Sequence, residues 1–169
     1  KIREDFHLGN KKIIVGVDRI DYTKGIPDRF RAIDRFLEKY PESKEKFVFF
    51  QLGEVSRIRL SRYQQLNDEL NGLVEEINWK HSSNSWKPII LNQSYMSYED
   101  ILALYRMADV CIVSSLHDGM NLVSKEFVAS RSDLNGVLIL SQFAGASREL
   151  NDALLVKPYD PESFADTIA

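Results

Sequence analysis

Two cations, Arg19 and Lys24, stand five residues apart in Asp18-Arg19-Ile20-Asp21-Tyr22-Thr23-Lys24-Gly25, directly after a β-branched apolar run. Arginine offers a planar fork of donors and lysine a compact charge, a complementary pair for the oxygens of a diphosphate. The same residues have a plainer use, in which Arg19 pairs with Asp18 or Asp21 and Lys24 faces water. A second polar segment, His117-Asp118-Gly119-Met120-Asn121, leads into Leu122-Val123-Ser124-Lys125-Glu126-Phe127 at helical period. Gly119 lets a ligand approach the backbone, and the first amides of a following helix point at an anion. Glu126 falls on the same helical face as Gly119 and Val123, where it could accept from the vicinal hydroxyls of a ribose. The plainer alternative makes Asp118 a helix cap and Glu126 a solvated carboxylate.

Arg57, in Gly53-Glu54-Val55-Ser56-Arg57, is placed to hold a second anion or to be a surface charge. The segment Gln142 to Ser147, with Gly145, is expected to be a tight strand-to-helix turn with a secondary role at the site. His7, His81 and His117 lack partners at metal-ligand spacing, so no metal site and no cofactor are expected.

Positioning these loops requires strands that end at them. Apolar or aromatic runs predict strands at Lys12 to Val17, Lys46 to Leu52, Pro88 to Gln93, Val110 to Ser114, Val137 to Ser141 and Leu154 to Val156. Between them, Phe30, Ile33, Leu37 and Tyr40, then Tyr63, Leu66, Leu70, Leu73 and Ile77, recur at helical steps. Pro27, the Ser97–Asp100 pair and Asp160-Pro161-Glu162 mark helix starts. Strands apolar on both faces need helices on both sides, which predicts an α/β domain with a doubly wound parallel sheet. Ligands then gather where strand carboxyl ends meet helix amino ends.

Composition agrees with an ordinary globular chain: 169 residues, 44% hydrophobic and 28% charged. A net charge of -3 builds in no bulk attraction to nucleic acid or to an anionic membrane, so neither is expected as a partner. The single cysteine, Cys111, lies in an apolar strand and predicts a buried thiol in a reducing, cytoplasmic compartment. No repeat or linker divides residues 1–169, which are expected to form one domain. The start at Lys1-Ile2-Arg3-Glu4 and the short last helix predict a chain truncated at both ends.

Gly16-Val17-Asp18-Arg19-Ile20-Asp21-Tyr22-Thr23-Lys24-Gly25-Ile26-Pro27 and His117-Asp118-Gly119-Met120-Asn121-Leu122-Val123-Ser124-Lys125-Glu126, with Leu91-Asn92-Gln93 and Ala144-Gly145-Ala146, resemble the trehalose-6-phosphate synthase family of retaining glycosyltransferases. The resemblance implies one Rossmann-like half of a GT-B architecture, the carboxyl-terminal nucleotide-sugar domain, with the amino-terminal acceptor domain absent. It implies glucose transfer from UDP-glucose or another nucleoside diphosphate glucose to glucose 6-phosphate. It also implies that Arg19 and Lys24 bind diphosphate, Asp118 holds glucose hydroxyls, Gly119, Met120, Asn121, Leu122 and Val123 contact sugar and diphosphate through their backbone, and Glu126 binds ribose. Arg57 matches an arginine for the acceptor phosphate, and Ser94 to Met96 lie where the base is expected. A glucosylglycerol-phosphate synthase acting on glycerol 3-phosphate, or a non-catalytic regulatory member, would share these residues. A plain dinucleotide-binding domain is disfavoured, because the first strand-helix turn lacks G-x-G-x-x-G.

Overall fold

The apolar runs form six parallel strands: β1 (Lys12–Arg19), β2 (Phe47–Glu54), β3 (Ile89–Asn92), β4 (Val110–Val113), β5 (Val137–Ser141) and β6 (Leu154–Val156). The structure, a computed structural model, describes residues 2–55 and 61–169. Helices α1 (Ile2–Asp5), α2 (Ile26–Lys39), α3 (Ser61–His81), α4 (Tyr98–Met107), α5 (Leu122–Ser130) and α6 (Pro161–Ile168) account for the stretches of helical period. Strand order across the sheet is β3-β2-β1-β4-β5-β6. The chain therefore winds outward from β1 in one direction, returns, and winds outward from β4 in the other, the doubly wound arrangement expected. The reversal leaves a crevice at the carboxyl ends of the adjacent strands β1 and β4, which is where open sheets of this kind bind ligands.

Strand ends depart slightly from the apolar runs. β1 continues through Asp18 and Arg19 because β2 stays in register beside it, Asp18 opposite Gly53 and Arg19 opposite Glu54. Backbone pairing thus carries the strand past the point where hydrophobicity stops marking it.

Burial follows the two periods. Ile13, Ile14, Val15, Phe49, Phe50, Cys111, Ile112, Val113, Ile139 and Leu140 form the middle of the sheet, with helix residues Ile26, Phe30, Ile33, Leu37, Leu66, Leu70 and Ile77 packed against it. Cys111 is buried as expected, and burial pushes its thiol pKa up to about 12. Ser97 Oγ accepts from the Asp100 N–H at 3.1 Å, and Asp160 Oδ1 accepts from the Ser163 N–H at 3.1 Å, so both expected starts are capped. Among the described residues no helix is long and apolar enough to cross a membrane.

Candidate functional site

Both cation-bearing and glycine-bearing loops leave the sheet at the crevice. After β1 the chain makes a 3-10 turn over Tyr22–Lys24, started by Asp21, whose Oδ1 accepts from the Thr23 N–H and hydroxyl at 2.8 Å each. Gly25 ends it in the left-handed region at φ 62° and begins α2. No side chain fits there: a Cβ on Gly25 would run into the Ser114 carbonyl oxygen. That contact seats the turn against the end of β4. Leu116 N–H donates to Thr23 O at 2.8 Å, so the two loops share backbone hydrogen bonds as well.

Across this junction the two sequence motifs meet. Lys24 Nζ lies 2.8 Å from Asp118 Oδ2, with both side chains largely buried. Asp118 also accepts from Asn121 Nδ2 at 3.1 Å, from the Met120 N–H at 3.3 Å and from Ser115 Oγ at 3.4 Å. Burial pushes its carboxyl pKa up, but the Lys24 ammonium and these donors outweigh it and hold the group below the usual aspartate value. Asp21 behaves alike: partial burial raises it, while Thr23 and the nearby charges of Arg19 and Lys24 bring it below that value.

The plainer alternatives for these residues hold only in part. Asp18 does not serve Arg19, because alternation along β1 turns the two side chains to opposite faces. Asp18 points inward and pairs with Arg29 Nη1 at 2.6 Å. Arg19 is exposed; it makes no close ion pair among the described residues, but its charge stands near enough to Asp21 to lower that carboxyl's pKa. Lys24 does not face water. Asp118 is not the cap of α5; Asn121 is, at φ 75°, with Oδ1 accepting from the Ser124 N–H at 2.8 Å. Helix geometry then leaves the N–H groups of Leu122 and Val123 without partners inside the helix, at the crevice.

Beneath this loop, Gln142 to Ser147 acts as a brace. Gly145 N–H donates to Asp118 O and Ala146 N–H to Met120 O, both at 2.9 Å. A Cβ on Gly145 would collide with the Gly119 carbonyl, so the turn fixes the height of the Gly119–Met120 backbone. Ser141 adds to this from the end of β5, donating through Oγ to Ser115 O at 2.6 Å.

Glu126 sits further along α5, where the Tyr105 hydroxyl reaches its Oε2 at 3.4 Å. Tyr105 is itself buried, and that burial drives its pKa well up, so it stays a donor at all ordinary pH. At the carboxyl ends of β2 and β3, Leu52, Glu54, Val55, Gln93, Ser94 and Met96 help to line a cleft of about 260 Å³, beside the expected position of the base. Arg57 lies outside the described residues.

The sequence pattern alone did not single out Arg29, Gln51, Ser114 or Tyr105. Arg29 did leave a signal, because it occupies the stripe of α2 otherwise filled by Ile26, Phe30, Ile33 and Leu37. A charged residue on a buried stripe calls for a buried partner. Gly16 within the apolar strand β1 marks the space that Arg29 and Gln51 fill.

A doubly wound parallel sheet with helices on both faces and loops meeting at its switch point defines a Rossmann-like α/β domain. The chain belongs to glycosyltransferase family 20, whose family model matches residues 1–169. It is 42% identical over 161 residues to the UDP-forming alpha,alpha-trehalose-phosphate synthase of Schizosaccharomyces pombe, covering 95% of this chain and 31% of that protein. It is also 42% identical over 157 residues to the 56 kDa subunit of the Saccharomyces cerevisiae UDP-forming synthase, covering 93% of this chain and 32% of that one. A solved trehalose-6-phosphate structure from E. coli, bound with UDP-2-fluoro glucose, superposes with a TM-score of 0.94 at 38% identity, covering 99% of this chain and 37% of that chain. The Burkholderia xenovorans UDP-forming synthase in complex with glucose-6-phosphate gives 0.94 at 38%, with coverage of 99% and 37%. The chain thus spans about a third of the length of the relatives it matches.

Proposed function

We propose that this chain is the donor-binding, carboxyl-terminal domain of a retaining glucosyltransferase of GT-B architecture. The full-length polypeptide would transfer glucose from UDP-glucose to glucose 6-phosphate, giving trehalose 6-phosphate and UDP. An amino-terminal domain beyond this chain would supply most acceptor contacts. The observation that carries the proposal is the meeting of Lys24 with Asp118 at 2.8 Å across the switch-point crevice of a family 20 chain. A cation for the leaving phosphate and a carboxylate for the sugar are then adjacent where donor phosphate and glucose join.

In this proposal Arg19 and Lys24 hold the diphosphate, helped by the Leu122 and Val123 amides. Asp118 orients the glucose hydroxyls beside the backbone from Gly119 to Val123. Glu126, steadied by Tyr105, accepts from the ribose hydroxyls, and the base lies by Ser94 to Met96. Arg57 serves the acceptor phosphate. As the bond from the anomeric carbon to the phosphate oxygen breaks, negative charge grows on the β-phosphate, where the cations already stand. The acceptor hydroxyl attacks from the same face, which retains configuration, and the departing phosphate takes its proton. No metal is needed for this charge balance. A buried Cys111 thiol fits a cytoplasmic setting.

The test is a transfer assay on the full-length polypeptide with UDP-glucose and either glucose 6-phosphate or glycerol 3-phosphate. Turnover with glucose 6-phosphate, reduced about a hundredfold by Lys24→Ala through loss of one leaving-group cation, is the expected result. Turnover with glycerol 3-phosphate alone would overturn the acceptor assignment. Unchanged turnover of a normally folded Lys24→Ala would overturn the role of Lys24.

A further inference from the structure

Behind the two loops lies a guanidinium with no exposed surface. Arg29, one helical turn past Gly25 in α2, is fully buried. Its Nε donates to Ser114 Oγ at 2.9 Å, and its Nη1 donates to Asp18 Oδ2 at 2.6 Å and to Gln51 Oε1 at 2.7 Å. Gln51 Nε2 closes the group by donating to Leu52 O at 3.0 Å and Asp18 Oδ2 at 3.3 Å. Three adjacent strands therefore meet on one side chain: Asp18 near the end of β1, Gln51 within β2 and Ser114 directly after β4.

The connection continues to the site. Ser114 Oγ, while accepting from Arg29, donates to Gly25 O at 2.9 Å, at the residue that ends the Lys24 turn. Ser114 also precedes Ser115, whose hydroxyl reaches Asp118 Oδ2 at 3.4 Å. Arg29 thus stands one bonded step behind the Lys24 turn. The Arg29 Nη2 is buried without a hydrogen-bond partner among the described residues. Buried ion pairs recover their desolvation cost poorly, and apolar packing in the same space is often no less stable. Stability alone is a weak reason for a guanidinium here; geometry is a better one.

We propose that Arg29 is a positioning residue for the leaving diphosphate: through Ser114 and Asp18 it sets where the Lys24 turn stands relative to the Asp118 loop. This rests on the proposed role of Lys24 at the diphosphate. A positioning role on the phosphate side affects UDP and spares UMP, which lacks the β-phosphate. A general packing role would weaken both alike.

The experiment titrates UDP and UMP by calorimetry into the full-length polypeptide carrying no change, Ser114→Ala, or Asp18→Asn with Arg29→Met, with thermal melting of each. The double change removes both buried charges together, so neither is stranded, and Ser114→Ala carries the test should the double variant fold poorly. The expected result is a preference for UDP over UMP in the unchanged protein that falls roughly fivefold or more in the variants, with UMP affinity held. Folded variants that keep the full preference, or lose UDP and UMP affinity equally, would overturn the positioning role while leaving Lys24 in place. An unchanged protein that binds UDP no better than UMP would overturn the diphosphate assignment itself, and this inference with it.

Discussion

Lys24 and Asp118 pair at the centre of the candidate site, and their pairing has a pH signature. Asp118 ionises more readily in the folded chain than in the unfolded one, so the unfolded state binds more protons in the acid range. Its contribution to stability is complete above the ordinary aspartate value of 3.8 and is lost as pH falls through the lower folded value. Asp118→Asn keeps the shape and removes the charge. We expect it to lower stability by about 1.5–3 kcal/mol at pH 7, the range for hydrogen bonds to charged groups. Melting curves at decreasing pH should then show the gap between wild type and Asp118→Asn closing below about pH 4. A gap independent of pH would mean that the carboxylate charge is not what the site uses.

At the scale of elements, glycines report how closely the loops are fitted. Gly25→Ala would place a Cβ against the Ser114 carbonyl in a left-handed backbone, and we expect a loss of roughly 2–4 kcal/mol. Gly72 is the contrast. It lies on an exposed stretch of α3 with nothing within 4 Å of an added Cβ, so Gly72→Ala should raise stability by about 0.5–1 kcal/mol through helix propensity. Urea unfolding of the two variants checks both signs. The elements themselves were legible in the sequence because their periods are strong: β5 and β6 begin and end where the apolar runs do. The loops carrying Arg19, Lys24 and Asp118 were legible too, since cations and glycine directly after buried strands are conspicuous. What stayed hidden was pairing across distance. The Lys24–Asp118 contact spans 94 residues, and Arg29 reaches Ser114 across 85, so only strand order brings them together. The cap of α5 was also missed, since Asp118 and Asn121 are both able cap residues and only the path of the loop selects Asn121.

For the whole molecule, strand order puts the switch point between β1 and β4, where the proposed function places the donor. We expect Lys1–Ala169 alone to bind UDP weakly and to transfer no glucose, because the acceptor would need the proposed amino-terminal domain. Assaying that chain with UDP-glucose and glucose 6-phosphate checks this, and measurable trehalose 6-phosphate would contradict it. Binding should also be indifferent to EDTA, since the proposed charge balance uses Arg19, Lys24 and helix amides. In the proposed function these two cations hold the diphosphate, and UDP titrated into the full-length polypeptide and its Arg19→Ala and Lys24→Ala forms puts that to the test. Each substitution is expected to weaken UDP about tenfold or more; Arg19→Ala should melt close to wild type, whereas Lys24→Ala loses the Asp118 pairing and melts lower, so its affinity is read well below its melting range. Equal UDP affinity in all three folded proteins would contradict the diphosphate assignment.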